Sequence, residues 1–168
     1  MNFQELLDKR YSLRKFESAP VERPKLDAIL EAGRIAPTAG NRQPVRVMVV
    51  QQAADLLKID ECTPCRYGAP LVLIVCYDKT VCWRSPFKEW DSGEVDSSIV
   101  TTYMMLKAEE AGLGTLWVMK FDPAKASELF MLPESLAPVA MLMIGSPAEG
   151  AAPSDYHAKR NPVEQMLI

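Results

Sequence analysis

The residues with the clearest chemical potential lie in two short segments. The first is Arg10-Tyr11-Ser12-Leu13-Arg14. If this stretch is extended, alternate side chains project the same way. Arg10, Ser12 and Arg14 would then present two guanidinium groups and a hydroxyl to one point. Arginine forks match phosphate oxygens, and the hydroxyl adds a neutral donor. On spacing alone, three exposed polar residues after a helix is the better fit. The second segment is Ala36-Pro37-Thr38-Ala39-Gly40-Asn41-Arg42-Gln43-Pro44. Pro37 stops a helix, and Gly40 permits close backbone approach or a positive φ. Asn41 and Gln43 each carry donors and acceptors, which can read the edge of a heterocycle. Alone, this segment also fits an ordinary helix-to-strand turn, where Asn and Gly are common.

Other reactive side chains are sparse. Cys62 and Cys65 form a single Cys-x-x-Cys pair, with Cys76 and Cys82 elsewhere. A zinc site wants a second pair or a Cys/His pair at matching spacing. The lone histidine, His157, is almost 100 positions away. Free thiols and no bound metal are expected, with His157 a surface residue of the tail.

The elements that must position these residues alternate between helices and short apolar strands, an α+β or α/β pattern. Asn2 can cap a short helix over residues 2–9, with Phe3, Leu6 and Leu7 on one face. A second helix begins near Pro24. Val45 to Val50 reads as a buried strand, and a short helix around Ala53 to Ile59 follows. Leu71 to Cys76 is another strand. Residues 83–95, with Pro86 and Gly93, read as a loop. Asp96 is placed as the cap of the longest helix, which Gly112 ends. On that helix Ile99, Val100, Tyr103, Met104 and Leu106 are expected to be largely buried, with nothing polar suggesting catalysis. Gly114 to Met119 is a strand, Asp122-Pro123 starts a further helix through Phe130, and Pro138 to Ile144 is the last strand. From Gly145 the chain becomes loop-like and needs something to pack against.

At 168 residues the chain suits one domain spanning residues 1–168. Hydrophobic residues make up 48% and charged residues 24%, a globular balance. The net charge of -3 without a run of like charges disfavours nucleic-acid binding. No secretory signal or bilayer-length apolar run appears, so a cytoplasmic protein is expected. Gly112-Leu113-Gly114 lacks the third glycine of a dinucleotide fingerprint and follows a helix, which argues against a Rossmann dehydrogenase.

Taken together, the motifs resemble the nitroreductase family. Arg-x-Ser-x-Arg near residue 10 is followed by Ala-Pro-Thr-Ala-Gly-Asn-x-Gln-Pro near residue 40. Glu94-Val95-Asp96-Ser97-Ser98-Ile99 leads into the long helix, and Ala111-Gly112-Leu113-Gly114-Thr115-Leu116-Trp117 closes it. Phe121-Asp122-Pro123, Ile144-Gly145-Ser146-Pro147 and Lys159-Arg160-Asn161-Pro162 follow in order. The resemblance implies an α/β sandwich with a central, mostly antiparallel sheet flanked by helices, in an intertwined homodimer with two interfacial sites. It implies FMN as cofactor and NAD(P)H as electron donor.

Carried over residue by residue, Arg10, Tyr11, Ser12 and Arg14 would bind the phosphate and ribityl end, with Arg160 as a further basic residue. Pro37, Thr38, Ala39, Asn41 and Gln43 match the loop that reaches flavin, part of it serving the partner's site. Trp117, Val118, Met119 and Lys120 match the segment that brings backbone groups to the isoalloxazine ring. Many relatives have a glycine or small residue near Met119 and Lys120, and the bulkier side chains here leave open whether that wall has the family's shape. Trp83, Phe87 and Trp90 lie in the one excursion long enough to reach across a flavin face, either shaping a substrate pocket or packing the loop down. The implied activity is ping-pong electron transfer from NAD(P)H to a nitroaromatic or quinone-like acceptor, with no catalytic side chain, since flavin carries the chemistry. The alternatives are another flavin reaction on this fold, such as dehalogenation or dehydrogenation, or a non-catalytic flavin-binding or redox-sensing module.

Overall fold

The computed structural model describes residues 1–168. In chain order the elements are α1 (Phe3–Lys9), α2 (Arg23–Arg34), β1 (Val45–Val50), α3 (Ala53–Cys62), β2 (Leu71–Asp78), α4 (Gly93–Glu110), β3 (Gly114–Val118), α5 (Pro123–Leu129) and β4 (Leu136–Gly145), with short 3-10 turns at Ala39–Asn41 and Val163–Met166. The four strands form one sheet in the order β1-β2-β4-β3, every neighbour antiparallel.

The period-2 alternation of strand side chains sorts the core into two layers. Val72, Ile74 and Cys76 of β2 join Met141 and Met143 of β4 and Leu116 and Val118 of β3 on one face, under α3 and α5. Leu71, Leu73, Val75, Leu142 and Ile144 face the other way, against α2 and α4. Helices on both faces explain why β2 reads as a continuous apolar run: all six residues from Leu71 to Cys76 are buried. The result is a three-layer α/β sandwich.

Several local expectations shift. β1 lies at a sheet edge and only Val50 in it is buried, so it is a half-covered edge strand and not a buried one. α4 begins at Gly93 with Ser92 at its N-cap position, so Asp96 lies inside the first turns and does not cap the helix. The stretch before it is a small hairpin: Arg84 and Asp91 form a bridge, Ser85 N–H donates to the Trp90 carbonyl at 2.9 Å, and Ser92 N–H to the Trp83 carbonyl at 2.9 Å. Val100 and Met104 are buried on α4, but Tyr103 remains 40% exposed. Its face looks toward α1, which buries none of its own residues. α1 itself starts with a reciprocal cap, Asn2 and Glu5 each accepting the other's backbone N–H at 2.9 Å.

Candidate functional site

The Arg10–Arg14 segment is extended where it meets β3. Ser12 forms a parallel bridge with Thr115, and Leu13 N–H donates to the Thr115 carbonyl at 2.8 Å. Leu13 is buried against Gly114, where any Cβ would collide with its side chain. Seating Leu13 inward leaves Arg10, Ser12 and Arg14 lining one cavity, as the alternation requires. The chain's tail forms its other wall. The cavity measures about 180 Å³ and is lined by Arg10, Tyr11, Ser12, Arg14, Ser154, Tyr156, His157 and Arg160. No carboxylate lines it. The only hydrogen bonds of Arg14 and Arg160 run to nearby carbonyls, those of Ser12, Tyr156 and Lys159.

His157 is therefore no simple surface residue. It is partly buried, and its ring meets Tyr11 edge-on at 6.2 Å. A backbone bond from His157 N–H to the Ser154 carbonyl at 2.8 Å fixes the turn that presents it. Spacing and periodicity carry no sign that the tail returns to the segment at residue 10; the family resemblance implied it for Arg160 but not for His157.

The 36–44 segment folds into a tight turn in which Gly40, Asn41 and Gln43 all adopt left-handed φ values of 57°, 53° and 50°. Two non-glycine residues in that region require external support. The support comes from the buried carboxylate of Asp96, which is 1% exposed. Its Oδ1 accepts the Ala39 N–H at 2.8 Å and its Oδ2 accepts the Ser92 hydroxyl at 2.7 Å. Within the turn, Thr38 Oγ1 accepts Gln43 N–H at 3.0 Å and Asn41 Oδ1 accepts the Gln43 amide at 3.1 Å. Thr38 and Gln43 line a groove of about 300 Å³ between α2, β1 and α4. Asn41 lines another cavity with Trp83.

Trp117 and Val118 close β3, while Met119 and Lys120 lie beyond it and are exposed. β3 is an edge strand, bridged on its outer side only at Thr115, so the backbone after Thr115 lacks a strand partner there. The indole N–H of Trp117 is buried and has no acceptor. The exit from β3 is pinned to the end of α3: the Thr63 hydroxyl donates to the Lys120 carbonyl at 2.7 Å, and Asp122 N–H donates to the Cys62 carbonyl at 2.9 Å. The Cys-x-x-Cys turn thus anchors this segment. Its cysteines are free, and no three His, Cys, Asp or Glu residues gather as a metal site. Burial pushes the Cys62 thiol above its ordinary range. Trp83 and Trp90 meet edge-on at 6.1 Å in the hairpin, whereas Phe87 at its tip is 95% exposed.

These groups do not share one cavity. Read along β2, the Arg10–Arg14 bridge lies level with Leu71, while the 36–44 turn enters β1 opposite Tyr77 at the far edge. With strands about 4.8 Å apart and about 3.3 Å per residue, the two corners are on the order of 25 Å apart.

The family model described as "Nitroreductase family" matches residues 7–64 and 64–146. The chain belongs to the nitroreductase family. A crystal structure of a nitroreductase family protein from Clostridium difficile superposes with a TM-score of 0.94 at 40% identity, over 100% of this chain and 98% of that one. A protein of Methanothermobacter thermautotrophicus named "Putative NADH dehydrogenase/NAD(P)H nitroreductase" is 31% identical over 164 residues, covering 92% of this chain and 82% of that protein. A Bacillus subtilis protein named FMN reductase (NAD(P)H) is 30% identical over 159 residues, covering 84% of this chain and 64% of its own length. No helix of this chain is long and apolar enough to cross a membrane.

Proposed function

We propose that the chain is an FMN-dependent oxidoreductase that moves electrons from NAD(P)H to a small acceptor. The observation that carries this is the convergence of Arg10, Ser12, Arg14 and Arg160 on one cavity without a carboxylate. An FMN phosphate carries about −1.5 to −2 charges near neutrality. Each charge-assisted hydrogen bond to it contributes roughly 1.5–3 kcal/mol, enough for several to hold a non-covalent cofactor. The donor set thus fits the phosphate end. Bound FMN would supply the hydride chemistry, which explains why no catalytic side chain stands out.

The chain's own residues then bind and orient. Arg10, Ser12, Arg14 and Arg160 hold the phosphate, with Tyr11 packed behind them. The backbone of Trp117–Lys120 offers donors where negative charge develops. Pro37, Thr38, Ala39, Asn41 and Gln43 form the wall that reads the ring edge. Because that wall lies at the opposite corner of the sheet, we place it in the partner's site: two copies related by a two-fold axis complete each other. Exposed apolar side chains support such pairing. Phe3 and Tyr103 line the α1–α4 groove, and Leu7 of α1 and Val163, Met166 and Leu167 of the tail are uncovered. Trp83, Phe87 and Trp90 stand where a flat acceptor could stack. Donor and acceptor would use one space in turn, giving ping-pong kinetics.

The test is the absorption spectrum of the purified protein before and after each nicotinamide. The expected result is an oxidised flavin band, bleached by NADH or NADPH and restored by a quinone, with FMN released on denaturation. A protein that arrives colourless and binds no added FMN would overturn the reading.

A further inference from the structure

The nine arginines of the chain divide by partner. Arg23, Arg34, Arg46 and Arg66 each pair with a carboxylate, at 2.7, 2.6, 4.0 and 2.6 Å. The other five have no ion pair, and they fall into two cavities. Arg10, Arg14 and Arg160 line the first. Arg42 and Arg84 line the second, with Asn41, Thr80, Val81, Cys82 and Trp83, in a space of about 650 Å³. We infer that this second cavity is an anion site that takes the phosphate-bearing arm of the nicotinamide dinucleotide donor.

The chemistry of the lining favours that ligand. Two guanidinium forks suit phosphate oxygens, and the Trp83 indole beside them offers a face for an adenine ring. Trp83 is braced edge-on by Trp90, whose other neighbour is the Lys88 ammonium at 5.0 Å. Two acids of this corner, Asp78 and Asp91, are engaged elsewhere, and Glu89 of the hairpin forms no ion pair with either arginine. Asp78 accepts from Thr80 N–H at 2.9 Å and from its hydroxyl at 2.6 Å, and faces Arg46. Asp91, opposite Arg84 in the hairpin, accepts the Gly93 N–H at 2.9 Å. Arg84 makes a single bond, to the Lys79 carbonyl at 3.2 Å. Both guanidiniums thus stay available to an outside anion.

Position supports the same assignment. Arg42 follows Asn41 on the turn proposed to read the flavin edge, so a ligand anchored on Arg42 has its remainder beside that edge. This inference rests on the proposed flavin site, but its test is separable. Adenosine 2′,5′-bisphosphate and ADP are titrated by calorimetry into the FMN-loaded protein and into the Arg42→Ala, Arg84→Ala double variant. Both side chains are exposed, so the variant should keep its melting temperature and its FMN. The expected result is loss of about 30-fold or more in affinity for at least one fragment. Loss confined to the bisphosphate assigns the arginines to a 2′-phosphate; equal loss of ADP assigns them to the pyrophosphate. Steady-state kinetics should show the matching rise in KM for the dinucleotide. Arg84→Lys, which keeps the charge and loses the fork, should fall between.

Unchanged fragment affinity, or no fragment binding to the wild-type protein, would overturn the inference while leaving the flavin reading intact. A variant that binds both fragments normally but loses affinity for carboxylated acceptors would also overturn it, by making the cavity an acceptor site. Failure to bind FMN at all would instead remove the flavin reading, whatever the fragments do.

Discussion

Removing the Asp96 carboxylate should loosen the turn proposed to face flavin and cost the whole fold stability. The carboxylate is buried and makes two hydrogen bonds, to Ala39 N–H at 2.8 Å and the Ser92 hydroxyl at 2.7 Å. Charge-assisted bonds of this kind contribute roughly 1.5–3 kcal/mol each. Removing them also leaves the Ala39 N–H without a partner. Relief of the carboxylate's own desolvation offsets part of this, so Asp96→Ala should cost about 3 kcal/mol. For a domain of this size that corresponds to a drop of about 6–12 °C in Tm. Asp96→Asn keeps one acceptor oxygen and should cost about half as much. With the Ala39 anchor gone, the left-handed residues Asn41 and Gln43 keep only the bonds within the turn, so FMN affinity should fall as well. Calorimetric melts at fixed protein concentration, with and without saturating FMN, separate the two effects, since cofactor stabilisation follows mass action. An alanine variant that melts within 2 °C of wild type (a shift of at most about 0.5–1 kcal/mol) and binds FMN normally would refute the reasoning.

Four further outcomes are expected. Arg10→Ala with Arg14→Ala should weaken FMN binding by about a hundredfold or more while the apoprotein melts unchanged; fluorescence titration giving near wild-type affinity would show these arginines idle. His157→Ala should weaken FMN binding modestly yet leave turnover at saturating FMN within a few-fold, because a true general acid usually contributes about 10²–10⁴-fold; rapid-reaction kinetics decide between the two. Burial pushes the Cys76 thiol up to about 11. Raised above its unfolded value, it contributes stability that is intact below pH 9 and declines as pH climbs toward 11, by up to about 1.4 kcal/mol per pH unit. Urea titrations over that range should show a shallower decline for Cys76→Ala, and identical slopes would exclude this cause. Light scattering should give a dimer for the wild-type chain, and Leu6→Lys with Leu106→Lys, in the α1–α4 groove, should shift it toward monomer; an unshifted dimer would place the interface elsewhere.

Local rules acting on neighbouring residues determined much of this protein. Asn2 before Phe3, Pro24 near the start of α2, Asp122 before Pro123 and Gly112 after α4 mark helix ends through backbone hydrogen bonding and φ, which depend on a few adjacent positions. The alternation Arg10, Ser12, Arg14 foretold a shared direction because an extended chain has period 2. The tertiary structure decided everything that links residues far apart in the chain. Arg160 and His157 meet Arg10 only because the tail returns across the start of β3. Asp96 looked like a helix cap because Asp before an apolar run is a common cap. Its true partner, Ala39, is 57 positions away. Strand order set β1 and β3 at opposite edges. No local pattern encodes strand order, because it reflects which faces α2, α4, α3 and α5 can bury together. That order separates the two halves of the candidate site and is the physical reason the proposed function draws on a second copy of the chain.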